Sequence, residues 1–118
     1  MRPHYKLDVW KNSMDLVDRI YETTNKFPSD ERFGLTSQMR RSAVSVPSNI
    51  AEGAARKSQA EFANFLNIAK GSLSELETQV IISKRQQYID DVEELIGLIG
   101  KVASQLSGLY RHIDSKID

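Results

Sequence analysis

Few side chains in this chain of 118 residues could do chemistry. Its two histidines, His4 and His112, stand near opposite ends, and neither belongs to a Glu-x-x-His pair of the kind that facing helices use to hold two metals. No phosphate loop of the form G-x-x-x-x-G-K-[ST] and no G-x-G-x-x-G occurs. Serines are plentiful, but none falls into a Ser/His/acid set. Glu52 and Glu75 are acids inside helical stretches, where ion pairs or hydrogen bonds to neighbours explain them more simply than proton transfer. That leaves a basic group: Arg40, Arg41, Arg56 and Lys57. Guanidinium and ammonium groups repeated along one helix suit contact with phosphate oxygens. They equally suit a solvated, salt-bridged face or a surface for a protein partner. The first pair and the second pair lie roughly 24 Å apart along a helix axis.

Composition limits these readings. Lys plus Arg is 16 and Asp plus Glu is 16, so the formal charge is zero, which argues against strong indiscriminate binding to phosphate backbones. The charge is not evenly spread: residues 1–60 carry ten basic and seven acidic side chains, and residues 61–118 carry six and nine. There is no cysteine, hence no disulfide framework and no thiolate chemistry. No apolar run approaches the roughly 20 residues of a membrane span, and the first residues have no signal-peptide core. A cytoplasmic protein with no membrane association, no cofactor and one domain over residues 1–118 is expected.

The elements that must position the basic residues are helices. Residues 1–7 read as a loose arm. Asp8 is placed to cap a first helix, whose expected buried stripe is Trp10, Met14, Val17, Ile20, Tyr21 and Thr24. Phe27-Pro28 ends it, because the residue before proline avoids the helical region. A connector follows, in which Phe33 is expected to plug one end of the core. The second helix spans about residues 35–55. Leu35, Met39, Ala43, Val46 and Ile50 recur at spacings of three and four, one face of a helix. It carries Pro47 in its interior, at a cost of about 3 kcal/mol, so a kink is expected there, with Ser42, Ser45 and Ser48 bonding the nearby backbone.

Ser58 and Glu61 form a capping box for a third helix. Phe62, Leu66, Ala69, Leu73, Leu76 and Val80 then make a heptad-like seam, widened by Phe65, Ile68 and Ile82. Gly71 inside this helix predicts close approach by another backbone. Asp91 and Glu94 resemble a second cap, opening a fourth helix with Val92, Leu95, Ile96, Ile99, Val102, Leu106, Leu109, Tyr110 and Ile113 on its core stripe. Four amphipathic helices on short connections predict an all-α fold, an antiparallel up-down-up-down four-helix bundle with its second helix kinked at the proline.

One run is distinctive: Ser45-x-Pro47-x-Asn49-Ile50-Ala51-Glu52-Gly53, with Trp10-Lys11, Phe27-Pro28, Gly34-Leu35, Arg40-Arg41, Phe65-Leu66, Gly71-Ser72 and Glu75-Leu76 around it. In these residues the chain resembles the four-helix-bundle proteins encoded in intervening sequences of bacterial 23S ribosomal RNA genes, the S23 type. That family is similar in turn to the accessory variability protein of diversity-generating retroelements. The resemblance implies an antiparallel bundle that assembles into a barrel-like homopentamer. Through the retroelement relative it also implies nucleic-acid binding on a basic surface, from which the zero net charge of this chain departs.

The expected function is therefore a non-catalytic, oligomeric bundle acting as a nucleic-acid-binding or ribonucleoprotein accessory factor, with Arg40, Arg41, Arg56 and Lys57 on RNA or DNA. The alternative is a scaffold that holds a protein partner and binds no nucleic acid. Trp10, the small strip Val44, Pro47, Ala51 and Ala54, and Gly71 point toward self-association in either case.

Overall fold

The computed structural model describes residues 1–117. Among them, four α-helices carry the fold: α1 (Asp8–Thr24), α2 (Leu35–Ala54), α3 (Gln59–Arg85) and α4 (Glu93–Asp114), with short 3-10 turns at Pro3–Lys6 and Ser29–Glu31. The bundle measures 48 × 22 × 21 Å. Its long axis suits α3, whose 27 residues rise about 1.5 Å each. Side-chain pairs set the helix directions. Asn12 and Arg19 of α1 meet Gln105 and Glu94 of α4, so numbers climb in one helix as they fall in the other. Met39, Ser42 and Ser45 of α2 meet Ser83, Glu75 and Ser72 of α3 in the same opposed order.

The core is a continuous apolar column. Leu16 and Ile20 of α1, Met39, Val46 and Ile50 of α2, Leu66, Leu76 and Val80 of α3, and Val102 and Leu106 of α4 are all fully buried. The expected seams of α2, α3 and α4 therefore hold along their centres, with Leu35, Phe62, Val92, Ile96, Leu109 and Tyr110 half-buried at their margins. The seam of α1 is rotated. Val9, Ser13, Leu16, Ile20 and Thr24 face inward, while Met14 and Tyr21 are exposed. Ser13 can enter the core because its hydroxyl donates to the Trp10 carbonyl at 2.8 Å, so it brings no unsatisfied group with it. On α3, Ile68 and Ile82 are likewise exposed and do not widen the core.

Helix ends follow local chemistry. Ser58 caps α3, its hydroxyl oxygen accepting from the Glu61 N–H at 3.1 Å. Asp8 is the first residue of α1, whose cap is Leu7 with no side-chain bond. Asp91 accepts from the Glu93 N–H at 2.9 Å, one residue short of the expected partner, because Val92 is the cap of α4. At the end of α3, Tyr88 N–H donates to the Ser83 carbonyl and Gln87 N–H to the Lys84 carbonyl, both at 2.9 Å. This is the Schellman pattern, and it holds Gln87 at φ 66°, in the left-handed region.

Three further expectations change. Phe33 is 89% exposed, and the end of the core is closed by Phe27, whose ring lies 5.4 Å from that of Tyr88. The close approach of helices falls at Gly53: a Cβ there would stand 2.8 Å from Phe65 Cβ and 3.3 Å from the Phe62 carbonyl oxygen. A Cβ on Gly71 would meet nothing within 4 Å. Lastly, α2 is continuous through the buried Pro47, and Ser42 and Ser45 bond to α3 rather than to the backbone near the proline, while Ser48 is exposed. Ser42 donates to Glu75 Oε1 at 2.8 Å, and the Ser45 and Ser72 hydroxyls lie 2.8 Å apart. The backbone bond near the proline comes from Asn49, whose Nδ2 donates to the Ser45 carbonyl at 2.7 Å.

Candidate nucleic-acid interface

The four basic residues singled out above do not form one patch. Arg40 turns toward α1. Its Nε donates to Thr24 Oγ1 and its Nη2 to Asn25 Oδ1, each at 2.9 Å, and its guanidinium lies 4.5 Å from the centre of the Tyr21 ring. Arg56 turns toward α3. It donates to Glu52 Oε1 at 2.8 Å and lies 5.0 Å from the centre of the Phe65 ring, which joins the end of α2 to the start of α3. The 16 residues between them amount to about 160° of helical rotation at 100° each. Arg41 and Lys57 are exposed. Neither belongs to an ion pair among the described residues.

The structure instead gathers positive charge at one end of α2. An open groove of about 620 Å³ is lined by Tyr21, Arg32, Phe33, Thr36, Ser37, Arg40, Arg41, Val44 and Ser45. It holds three arginines and no carboxylate. Arg32 was not singled out in the sequence because it sits alone in a connector. The 3-10 turn at Ser29–Glu31 delivers it, and Glu31 ties that turn to α2 by accepting the Leu35 N–H at 3.1 Å. The Glu31 carboxylate is held below the ordinary range, first by that backbone N–H and then by the Tyr88 hydroxyl. The Tyr88 hydroxyl is pushed up in turn, chiefly by its hydrogen bond to Glu31.

Between α1 and α4 the sign reverses. A groove there is lined by Asp15, Asp18, Glu22 and Glu94, with Arg19 and Lys101. There Arg19 bonds Glu94, holding that carboxylate below its ordinary range and raising its own pKa. The zero net charge thus conceals one groove with three arginines and another in which carboxylates outnumber cations.

A second groove adjoins the first along α2 and shares Phe33, Ser37, Arg41 and Ser45 with it. It occupies about 540 Å³ between α2 and α3, and its remaining lining is polar: Gln38, Ser42, Ser72, Glu75 and Gln79. Gln79 is only 6% exposed, and its Oε1 has no hydrogen-bond partner. A buried acceptor left so costs about 1–3 kcal/mol. Nothing in the sequence marks Gln79, since a glutamine flanked by Leu76 and Val80 reads as a polar interruption of a core seam.

Among the described residues, no three His, Cys, Asp or Glu side chains gather into a metal site, and no helix is long and apolar enough to cross a membrane. Fold and surface together define a four-helix bundle with an arginine groove at one end of its second helix. The chain belongs to the family of 23S rRNA-intervening sequence proteins, whose family model matches residues 5–108. It is also similar to a solved structure, a protein of unknown function from the S23 ribosomal protein family of Bacteroides thetaiotaomicron VPI-5482. The two share 25% sequence identity and a TM-score of 0.80, over 87% of this chain and 95% of the other. No curated protein matches the chain.

Proposed function

We propose that this bundle is a non-catalytic accessory protein of the cytoplasm that binds nucleic acid through the arginine groove. The observation that carries this reading is the convergence of Arg32, Arg40 and Arg41 on one carboxylate-free surface. Arginine is permanently charged and cannot exchange a proton in a protein, so such a groove fits holding phosphates better than turning over a substrate. Arg41 and Lys57, which engage no carboxylate among the described residues, make phosphate contacts toward the two ends of α2. Arg40 and Arg56 hold the surface around them through their bonds to Thr24 and Glu52.

The protein works as a homo-oligomer, the pentamer that the family resemblance implies. Met14 on α1 and Ile81 on α3 are exposed apolar side chains that such a contact could use. Copies arranged around an axis would repeat the groove and strengthen its field.

The test is fluorescence anisotropy of labelled RNA and DNA over a salt series, with wild type beside an Arg32→Ala/Arg41→Ala variant. Binding that weakens with salt and falls in the variant supports the proposal. No binding at the lowest salt, with the protein folded, overturns it; salt-tolerant co-purification with a defined protein would then favour the scaffold.

A further inference from the structure

We propose that the nucleic acid is single-stranded, and that one unstacked base enters the polar groove between α2 and α3, where Glu75 and Gln79 read its edge. This rests on the nucleic-acid reading above and deepens it. The two grooves meet at Arg41 and Phe33. A strand whose phosphates lie on the arginines therefore has its bases within reach of the second groove. Phe33 offers an aromatic face at that junction, 89% exposed on a chain whose other phenylalanines pack inward or partly inward. Bases stack on such faces without regard to sequence. A duplex keeps its bases stacked, so it cannot use this arrangement.

Among the groups lining the second groove, which include donors on Arg41, Gln38 and the serines, two acceptors have capacity to spare. Glu75 Oε1 takes the Ser42 hydroxyl at 2.8 Å, and no other hydrogen bond to its carboxylate occurs among the described residues. Gln79 Oε1, in a side chain more than nine-tenths buried, accepts nothing. A carboxylate beside a phosphate track repels phosphate, and so sorts the ligand: backbone to the arginines, donors to Glu75. Acidic side chains accept from the exocyclic amine of cytosine. Adenine presents a similar amine, whereas uracil has only its ring N–H. Cytosine and adenine are therefore favoured over uracil.

The experiment measures anisotropy of short labelled RNA strands of C, A or U, and of a blunt duplex of matched length. Wild type, Gln79→Leu and Glu75→Gln are compared, each checked for helicity by circular dichroism. The expected result is binding of C and A strands about tenfold tighter than U, and duplex weaker than single strand. Each variant should bring the three strands close together in affinity while the salt dependence persists. Duplex binding as tight as single strand, or a base preference unchanged in the folded variants, overturns this inference and leaves phosphate binding by the arginines standing. Absence of binding to every probe overturns both. If one variant does not fold, the other decides.

Discussion

Arg40 Nε donates to Thr24 Oγ1 at 2.9 Å, and that hydroxyl donates onward to the Ile20 carbonyl at 2.7 Å. A charged side chain of α2 is thus bonded into the last turn of α1. Its neighbour Arg41 makes no such bond, so two adjacent arginines have different duties. Arg40→Ala should cost about 1 kcal/mol of stability as well as affinity. Arg41→Ala should change stability by no more than about 0.5 kcal/mol while still weakening binding. Urea melts of both variants check this; equal melts would mean the Arg40 bonds contribute nothing to the fold.

Two glycines should respond in opposite directions. Gly53→Ala drives a Cβ against Phe65 Cβ and the Phe62 carbonyl, neither of which can swing away. A loss of about 1–3 kcal/mol is expected. Gly71→Ala enters open space on an exposed helix face and should gain up to about 1 kcal/mol from helix propensity. Thermal melts of the pair test the placement of the α2–α3 contact, and a destabilised Gly71→Ala would contradict it.

Much of this architecture could be read from the sequence, and the failures have local causes. The α3 seam from Leu66 to Val80 was legible because apolar residues recur along it at spacings of three and four, although Gln79 is buried beside them. The α1 seam was misread because Trp10, Met14, Val17 and Tyr21 form an equally regular stripe beside the true one, and because Ser13 hides its polarity in a bond to its own helix. Phe33 was misplaced because hydropathy does not say which way a connector turns. That direction comes from Glu31 gripping Leu35 N–H and Tyr88. For the site, Arg40 and Arg41 stood out as a pair, whereas Arg32 and Gln79 become informative only when the fold places them beside the grooves.

Gln87 should be improvable. It holds a left-handed conformation at the end of α3, which costs a residue with a Cβ about 1–2 kcal/mol. Gln87→Gly should raise stability by roughly 1 kcal/mol, the Schellman pattern being kept. A loss of stability on chemical denaturation would show that the Gln87 side chain contributes more than its backbone costs.

Acid should weaken the bundle through Glu31 and Glu94. Both carboxylates are held below their ordinary range in the fold, Glu31 by the Leu35 N–H and Tyr88, Glu94 by Arg19. Their contribution is full above the unfolded carboxylate range and is lost as pH falls through their depressed values. Tyr88 works the other way: its raised hydroxyl stabilises below the ordinary tyrosine range, and that contribution is lost as pH rises through its folded value. Melting temperatures followed from neutral pH into acid should fall more steeply for wild type than for Glu31→Gln. Parallel curves would mean that the Glu31 bonds do not report on folding.

The arginine groove is proposed to contact phosphate although the chain is neutral overall. That contact is tested most directly by the slope of log affinity against log salt concentration for single-stranded RNA. Each phosphate contact removed should lower that slope by about 0.7 for a single strand. Expected are a salt-dependent wild type and an Arg32→Ala/Arg41→Ala variant whose slope is smaller by about 1.4. A slope identical in the two proteins, or no binding by folded wild type at low salt, would contradict it.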